Sequence, residues 1–163
     1  MDWNQLFEMQ QELDTYIENN HDLSEVNLFH EKHLALLVEL GELANETRCF
    51  KFWSTKPRND QQVILAEYVD VLHFLMSIGI EKDFYYQSGG KLDLEDDITE
   101  SECFYQVYAK AIAYREIPTN ENYQQLFSWT LQLGNQLGFT DKDIQQAYLE
   151  KNQINYQRQD EGY

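Results

Sequence analysis

The fold is decided by residues 61–80, which read QQVILAEYVDVLHFLMSIGI. Apolar side chains fall on almost every side of a helix built from this stretch, so the helix is expected to lie at the centre of the protein. Asp60, just before it, is of the type that caps a helix N-terminus. Two carboxylates, Glu67 and Asp70, interrupt the apolar run three residues apart and therefore share one helix face. A central helix that carries buried acid is the starting point for both fold and function.

Further helical segments flank this central one on both sides in the sequence. Apolar residues at spacings of three, four and seven predict helices over residues 3–18, about 27–48, about 100–115, about 120–137 and from 140 toward 156. Thr140 and Asp143 form a capping-box pattern at the start of the last one. Pro57 and Pro118 mark breaks between segments. The prediction is an all-α bundle of about six helices in one domain, residues 1–163.

Composition narrows the classes of partner. The chain has 12 Lys and Arg against 29 Asp and Glu, and its net charge of −17 would repel a nucleic-acid backbone. No apolar run approaches the roughly 20 residues that span a bilayer, and residues 1–4 lack the features of a signal peptide. Cys49 and Cys103 lack the CxxC spacing and are expected to be reduced thiols. The acidic residues 91–100 are predicted to be a solvated connector. We expect a cytoplasmic protein without nucleic-acid or membrane partners.

Two pairs of carboxylates are the feature of the sequence that points to a reaction. Glu39 and Glu42 lie three residues apart, as Glu67 and Asp70 do, so each pair shares one face of its helix. Burying the second pair unpaired within an apolar helix would cost several kcal/mol. Carboxylate oxygens from two facing helices are ligands that Mg²⁺ prefers, with room left for water and substrate phosphates. The four residues therefore predict a metal site, with two solvated acidic faces as the alternative.

A di-iron helical bundle is a competing interpretation. Asp70 and His73 supply a carboxylate and an imidazole one turn apart, as such sites require. A second pair would be needed, and the one other histidine that follows an acid at this spacing, His21 after Glu18, lies near a helix end. From the residues alone, His73 is more typical of a histidine buried in the core than of a ligand. The magnesium interpretation is favoured.

Several segments resemble one known family. They are ELGELANE at 39–46, FKFWS at 50–54, EYVDVLHF at 67–74 and KNQINYQR at 151–158. Together they resemble the dimeric dUTPase family, which belongs to the all-α, MazG-like nucleotide pyrophosphohydrolases. The resemblance runs over nearly the whole chain. It implies a helical homodimer that hydrolyses dUTP, and also dUDP, to dUMP.

The resemblance also implies roles for individual residues. Glu39, Glu42, Glu67 and Asp70 would hold Mg²⁺ on the triphosphate, and a metal-bound water would attack phosphorus. Glu39 is the favoured general base, because a carboxylate not saturated by metal can take a proton from that water. The substrate-binding residues implied are Gln10, Asp14, Trp53, Lys56, His73, Phe74, Lys151, Asn155 and Arg158.

Within this set, Phe74 is expected to stack on the uracil ring and Trp53 to close over the nucleoside. Asp14 departs from the family pattern, in which Asn is common at this position. The spacing of Lys151, Asn155 and Arg158 places them on one face of a continuing helix, where they suit phosphate groups.

Three questions stay open at the level of sequence. The carboxylates specify the reaction class but not the base, so a broader dNTP pyrophosphohydrolase is one alternative. A non-catalytic helical interaction protein with the same fold is another. Finally, the polar C-terminal segment after Leu149 has little apolar surface to hold it, and we expect it to become ordered over the phosphates when a nucleotide binds.

Overall fold

The computed structural model describes residues 1–89 and 98–162, and these residues form helices without any strand. The helices are α1 (Trp3–Asn20), α2 (Phe29–Thr47), α3 (Gln61–Ile80), α4 (Glu100–Glu116), α5 (Asn120–Gln136) and α6 (Asp141–Asp160). The predicted all-α bundle is therefore confirmed. Residues 91–97 of the predicted acidic connector lie outside the described residues.

Helix α3 is the centre of the bundle. It packs against α1, α2, α5 and α6, and α4 packs mainly on α5 and also on α2. One cluster of buried apolar residues includes members from all six of these helices. Each neighbour covers part of α3 because its sequence is apolar nearly all round, as expected for a helix without a water-facing side.

Buried tyrosines fasten the helices to one another. Tyr68, Tyr114 and Tyr123 are fully buried, and their hydroxyls donate to the backbone carbonyls of Thr130, Ile78 and Leu75 over 3.0, 3.0 and 3.1 Å. A buried phenol needs such a partner, and the ring adds a large apolar contact area. These bonds fasten α4 and α5 to α3.

The apolarity of α3 corrects one expectation. This helix has 20 residues, and an 18-residue window within it has a mean hydropathy of 1.7, so it is long and apolar enough to cross a membrane by length and composition. The prediction that no run reaches that length was therefore wrong. However, 61% of that window is buried inside the protein, and a buried core helix passes the same test. Its apolar surface is occupied by the other helices.

Helix ends differ from expectation in two places. Asp60 stands at the N-cap position of α3, but its side chain makes no capping hydrogen bond. By contrast, the predicted capping box of Thr140 and Asp143 is present at the start of α6. Helix α6 also continues beyond residue 156, to Asp160, whose carboxylate accepts from the Tyr16 hydroxyl over 2.5 Å. The C-terminal segment is thus helical as far as Asp160 and bonded to α1, and its ordering over the phosphates stays a prediction.

Candidate active site

A pocket of about 320 Å³ opens between α1, α2, α3 and α6. This volume lies in the range of small-molecule sites. Much of the predicted site lies around it, and its lining residues are Gln10, Leu13, Asp14, Lys32, Glu39, Asp70, His73, Phe74, Ser77, Lys151, Asn155, Arg158 and Gln159.

Acidic groups crowd one end of the pocket. Carboxylate oxygens of Glu39, Glu67 and Asp70 lie within 4.8 Å of one another. Glu39 comes from α2 and the other two from α3, and these helices pack along much of their length. Glu42, one turn after Glu39, is exposed at the rim, and its charge acts on the other three. The spacing of three residues places Glu67 and Asp70 on the face of α3 that meets Glu39. Of the four predicted ligands, Glu39 and Asp70 line the pocket itself, and Glu42 and Glu67 do not.

The carboxyl groups of this cluster are hard to ionise. Burial and the charges of Asp70, Glu42 and Glu67 raise the pKa of Glu39 to about 7. Burial, followed by the same kind of repulsion, also raises the pKa of Glu67. The pKa of Asp70 is raised by burial, although Lys151 opposes the shift. The cluster therefore lacks enough positive charge of its own.

Lys151 of α6 is the basic residue bonded to this cluster. Its Nζ donates to Asp70 Oδ2 over 2.5 Å, and both side chains are more than four-fifths buried, with 18% and 17% exposed. Lys151 thereby ties the middle of α6 to the acidic face of α3. Because a lysine ammonium is a point charge, it can exchange between a carboxylate and a phosphate.

The donor set of the acidic cluster fits a hard divalent cation. It consists of carboxylate oxygens close enough to share one ion, and no histidine or cysteine joins Glu39, Glu67 and Asp70 within the described ranges. Such oxygen-only sets suit Mg²⁺ and leave positions for water and phosphate. His73 is not part of this group, and its Nδ1 faces Gln10, so the di-iron interpretation finds no support in this geometry.

The other end of the pocket is a buried hydrogen-bond network around Gln10. Its Oε1 lies 2.6 Å from His73 Nδ1 and accepts from the Tyr148 hydroxyl over 2.7 Å. The rings of His73 and Tyr148 are stacked, with centroids 4.3 Å apart. Burial lowers the pKa of His73 to about 3, and the imidazole is therefore neutral at physiological pH. Gln10, His73 and Tyr148 are uncharged and fixed by these contacts, so this part of the pocket suits an uncharged base. It is called the neutral end below.

Asp14 continues the network from the nitrogen of the same amide. Gln10 Nε2 donates to Asp14 Oδ1 over 2.7 Å, and the Ser77 hydroxyl donates to both oxygens of Asp14 over 2.8 and 2.6 Å. Lys32 Nζ approaches Asp14 Oδ2 at 3.4 Å. Burial raises the pKa of Asp14, while Lys32, Ser77 and Gln10 oppose the shift.

The remaining predicted residues divide into two groups. Phe74, Asn155 and Arg158 line the pocket, and the last two come from the same face of α6 as Lys151. Trp53 and Lys56 are not brought into that lining. Trp53 is 66% exposed, and its ring packs edge-on against the rings of Phe50 and Phe52 in the segment before α3. Lys56 is exposed in the same segment.

Sequence reasoning missed Lys32, Ser77 and Gln159 in the pocket, and Tyr148 behind it. A signal for two of them was present. Lys32 precedes Glu39 by seven residues and Ser77 follows Asp70 by seven, so each shares a helix face with a predicted ligand.

The comparison with protein families agrees with this site. A family model described as dUTPase matches residues 2–163. No match was found among curated proteins. The match covers almost the whole chain, including both carboxylate pairs and the residues of α6 around the pocket, and the fold is all-helical as in that family. The chain therefore belongs to the all-α dUTPase family and is a dUTP diphosphatase.

Proposed function

We propose that the protein hydrolyses dUTP to dUMP and pyrophosphate, and dUDP to dUMP and phosphate, in a Mg²⁺-dependent reaction in the pocket between α1, α2, α3 and α6. The observation that carries this proposal is the acidic cluster of Glu39, Glu67 and Asp70 beside the basic face of α6. An acidic end suits divalent cations, and the neutral end around Gln10 suits the nucleoside. The phosphates would bridge the two ends.

Glu39, Glu42, Glu67 and Asp70 are the proposed metal ligands. Bound Mg²⁺ would neutralise charge on the phosphates and lower the pKa of bound water. Lys151, Asn155 and Arg158 would bind phosphate oxygens, because Lys151 can leave Asp70 once that carboxylate faces a cation. Arg158 adds a planar fork that matches phosphate geometry.

Glu39 is the proposed general base. Without metal its pKa is raised to about 7, because it is buried and surrounded by like charges. Bound Mg²⁺ would lower this pKa and favour the ionised carboxylate, which is the form that accepts a proton. Glu39 would orient the attacking water and take its proton as the bond to phosphorus forms.

The nucleoside would occupy the neutral end. Phe74 lines the pocket and offers a ring for stacking on the base, while Gln10, Asp14 and His73 supply fixed polar groups. Stacking tolerates any base, whereas fixed hydrogen bonds discriminate. Trp53 and Lys56 would reach the substrate only after the segment 50–57 moves toward the pocket.

A homodimer in the cytoplasm, without nucleic-acid or membrane partners, is part of the proposal. Support for the dimer comes from exposed apolar side chains on α2 and α4, two helices that pack on each other. These side chains are Leu34, Val38, Tyr105 and Ile112, with Tyr105 71% exposed. Large exposed apolar strips mark interaction surfaces. Leu34→Glu should convert a dimer to a monomer in analytical ultracentrifugation. A parent protein that sediments as a monomer would overturn the dimer.

One experiment tests the catalytic proposal. A panel of nucleoside di- and triphosphates is incubated with the protein and Mg²⁺, and monophosphate, pyrophosphate and phosphate are quantified. We expect dUMP and pyrophosphate from dUTP, no reaction in EDTA, and recovery when Mg²⁺ is restored. Comparable turnover of all dNTPs would favour the broader pyrophosphohydrolase. Full turnover of dUTP in EDTA would refute the metal mechanism.

A further inference from the structure

Lys32 joins three helical elements at the closed end of the pocket. Its Nζ lies 2.6 Å from Glu18 Oε1, 2.6 Å from Glu81 Oε1 and 3.4 Å from Asp14 Oδ2. Asp14 and Glu18 belong to α1, Lys32 to α2, and Glu81 follows the last residue of α3. Its side chain is only 13% exposed. Because Lys32 bonds to carboxylates on both sides, its ammonium has a fixed position.

The amide of Gln10 has one orientation that satisfies all its neighbours. Its Nε2 faces Asp14 Oδ1 and the Ser77 hydroxyl, 2.7 and 3.0 Å away, and must donate to an ionised carboxylate. Its Oε1 therefore faces His73 Nδ1 and Tyr148, and an oxygen can only accept. It follows that His73 carries its proton on Nδ1.

The opposite nitrogen of His73 is then a buried acceptor. His73 Nε2 has no hydrogen-bond partner in the described part of the chain, although the residue lines the pocket. A buried polar atom without a partner costs free energy that a ligand can recover. If Asp14 were protonated, its hydroxyl could donate to the amide oxygen of Gln10. The amide would then turn, and His73 would have to move its proton to Nε2.

We propose that Lys32 is a positioning residue for nucleoside binding, because it keeps Asp14 an acceptor and thereby fixes the Gln10 amide and the Nδ1–H tautomer of His73. This rests on the proposed function only in assuming that the pocket binds the nucleoside. The neutral end thus presents an acceptor instead of a donor, and Lys32 acts on the nucleoside through Asp14, Gln10 and His73.

The surroundings of Asp14 leave this role to Lys32. Among the described residues, the titratable groups that face Asp14 directly or through this network, from α1, α2, α3 and α6, are Glu18, Lys32, His73, Glu81, Tyr148, Lys151 and Tyr156. Lys32 is the cation that approaches Asp14 itself, whereas Lys151 acts on His73 and is bonded to Asp70, and His73 is held neutral by burial. Burial disfavours the ammonium of Lys32, but the charge of Asp14 and the bonds to Glu18 and Glu81 outweigh it and raise its pKa.

The test compares Lys32→Met with Lys32→Arg and with the double variant Lys32→Met/Asp14→Asn. Lys82→Met is the matched control, since Lys82 packs over the Phe29 ring outside this network. In Lys32→Met we expect KM for dUTP to rise about tenfold at neutral pH with a smaller change in kcat. KM should recover as pH is raised and Asp14 ionises. The arginine variant and the control should stay near the parent.

The double variant separates charge from structure. Asn at position 14 still offers an oxygen to Gln10 without needing a cation, so its KM should lie closer to the parent than that of Lys32→Met. A purely structural role of Lys32 predicts that the double variant is at least as impaired as the single one, with a pH profile like that of the parent. That result would overturn the proposal.

A second readout does not depend on hydrolysis. Long-range ¹H–¹⁵N spectra of the nucleotide-free protein report which nitrogen of His73 is protonated. We expect the Nδ1–H form in the parent and a loss of that form in Lys32→Met. An unchanged tautomer would overturn the proposal, even if dUTP is not the substrate. If Lys32→Met does not fold, acid titration of the parent replaces it, and the His73 signals must change as Asp14 protonates.

Discussion

The two ends of the pocket handle buried carboxylates in opposite ways. Asp14 accepts hydrogen bonds from Gln10 and Ser77 and lies beside Lys32, so the protein itself satisfies its oxygens. Glu39 has no such donor within the described ranges, and the charges that act on it come mainly from other carboxylates. A carboxylate with fixed donors positions its neighbours, whereas one surrounded by like charges has the properties of a ligand for an external cation. Similar residues thus have different proposed roles because of what faces them.

The largest effect should follow from removing a carboxylate at the acidic end. We expect Glu42→Ala, Glu67→Ala or Asp70→Ala each to lower kcat/KM for dUTP by at least about a hundredfold, because each loses a metal ligand. The fold should survive, and Glu42→Ala and Glu67→Ala should relieve repulsion in the metal-free protein. Asp70→Ala also removes the carboxylate bonded to Lys151, so its unfolding temperature should be lower than that of the other two variants. Steady-state kinetics and thermal unfolding in EDTA measure the two effects.

Glu8→Ala is the control for this comparison, because Glu8 is an exposed glutamate of α1 outside the pocket between α1, α2, α3 and α6. It should leave kcat/KM unchanged. A variant of the cluster that retains full activity would contradict the assignment of these residues as metal ligands. A Glu42→Ala or Glu67→Ala protein that unfolds at a much lower temperature than the parent in EDTA would contradict the argument that their carboxylates repel each other.

Base selection should produce the next largest effect, and it concerns the neutral end. We expect dUTP to be preferred over dTTP and dCTP by about 1–3 kcal/mol each in kcat/KM, since a pocket with fixed polar groups can exclude a methyl group and reject the amino pattern of cytosine. Competition between pairs of nucleotides measures the ratio directly. Equal kcat/KM values would show that the neutral end does not discriminate between the bases. The proposed role of the acidic end in binding metal and phosphate would be unaffected.

The acidic end was predictable from the sequence because its residues repeat a local spacing. Glu39 with Glu42, and Glu67 with Asp70, lie one turn apart, and the apolar run around the second pair identified α3 as the helix that buries them. The helices themselves followed from apolar periodicity, apart from their ends. The length of α6 was underestimated because the bond between Tyr16 and Asp160 joins residues 144 positions apart.

The neutral end was less predictable because it depends on tertiary contacts. The carboxylates that contact Lys32 come from α1 and from the residue after α3. The sequence of α2 therefore does not indicate which residues Lys32 contacts. The family resemblance identified Asp14 as a departure from the usual Asn, but only the fold places a lysine beside it. Trp53 shows the converse case, since a motif implied a role and the geometry leaves the side chain outside the pocket.

Lys151 partly satisfies the acidic end, as Lys32 satisfies Asp14 at the neutral end. Its removal should have a moderate effect on Mg²⁺ binding and on kcat/KM. In nucleotide-free protein its ammonium bonds to Asp70, where it repels an incoming cation. Lys151→Met should therefore bind Mg²⁺ more tightly, by roughly up to fivefold, while kcat/KM for dUTP falls about tenfold through the loss of a phosphate contact. Calorimetric Mg²⁺ titration and kinetics test both directions. Lys142→Met, exposed on α6, is the control, and weaker Mg²⁺ binding in Lys151→Met would be contrary to this argument.

The smallest effect is on stability as a function of pH, and it reports directly on the unsatisfied state of Glu39. The pKa of this group is about 7 in the folded protein and near its ordinary value of 4.5 in the unfolded chain, so between these values the folded state binds more protons. The free energy of unfolding must then fall as pH rises through that window in metal-free protein. Solvent screening limits the contribution to the order of 1 kcal/mol. Glu39→Gln removes the titration and should be more stable than the parent at pH about 7.5 but not at pH about 4.5. Urea unfolding of both proteins in EDTA measures this difference, and with Mg²⁺ present it should shrink, because the cation supplies the charge that the cluster lacks. A constant difference across the pH range would mean that Glu39 is already satisfied within the protein, as Asp14 is.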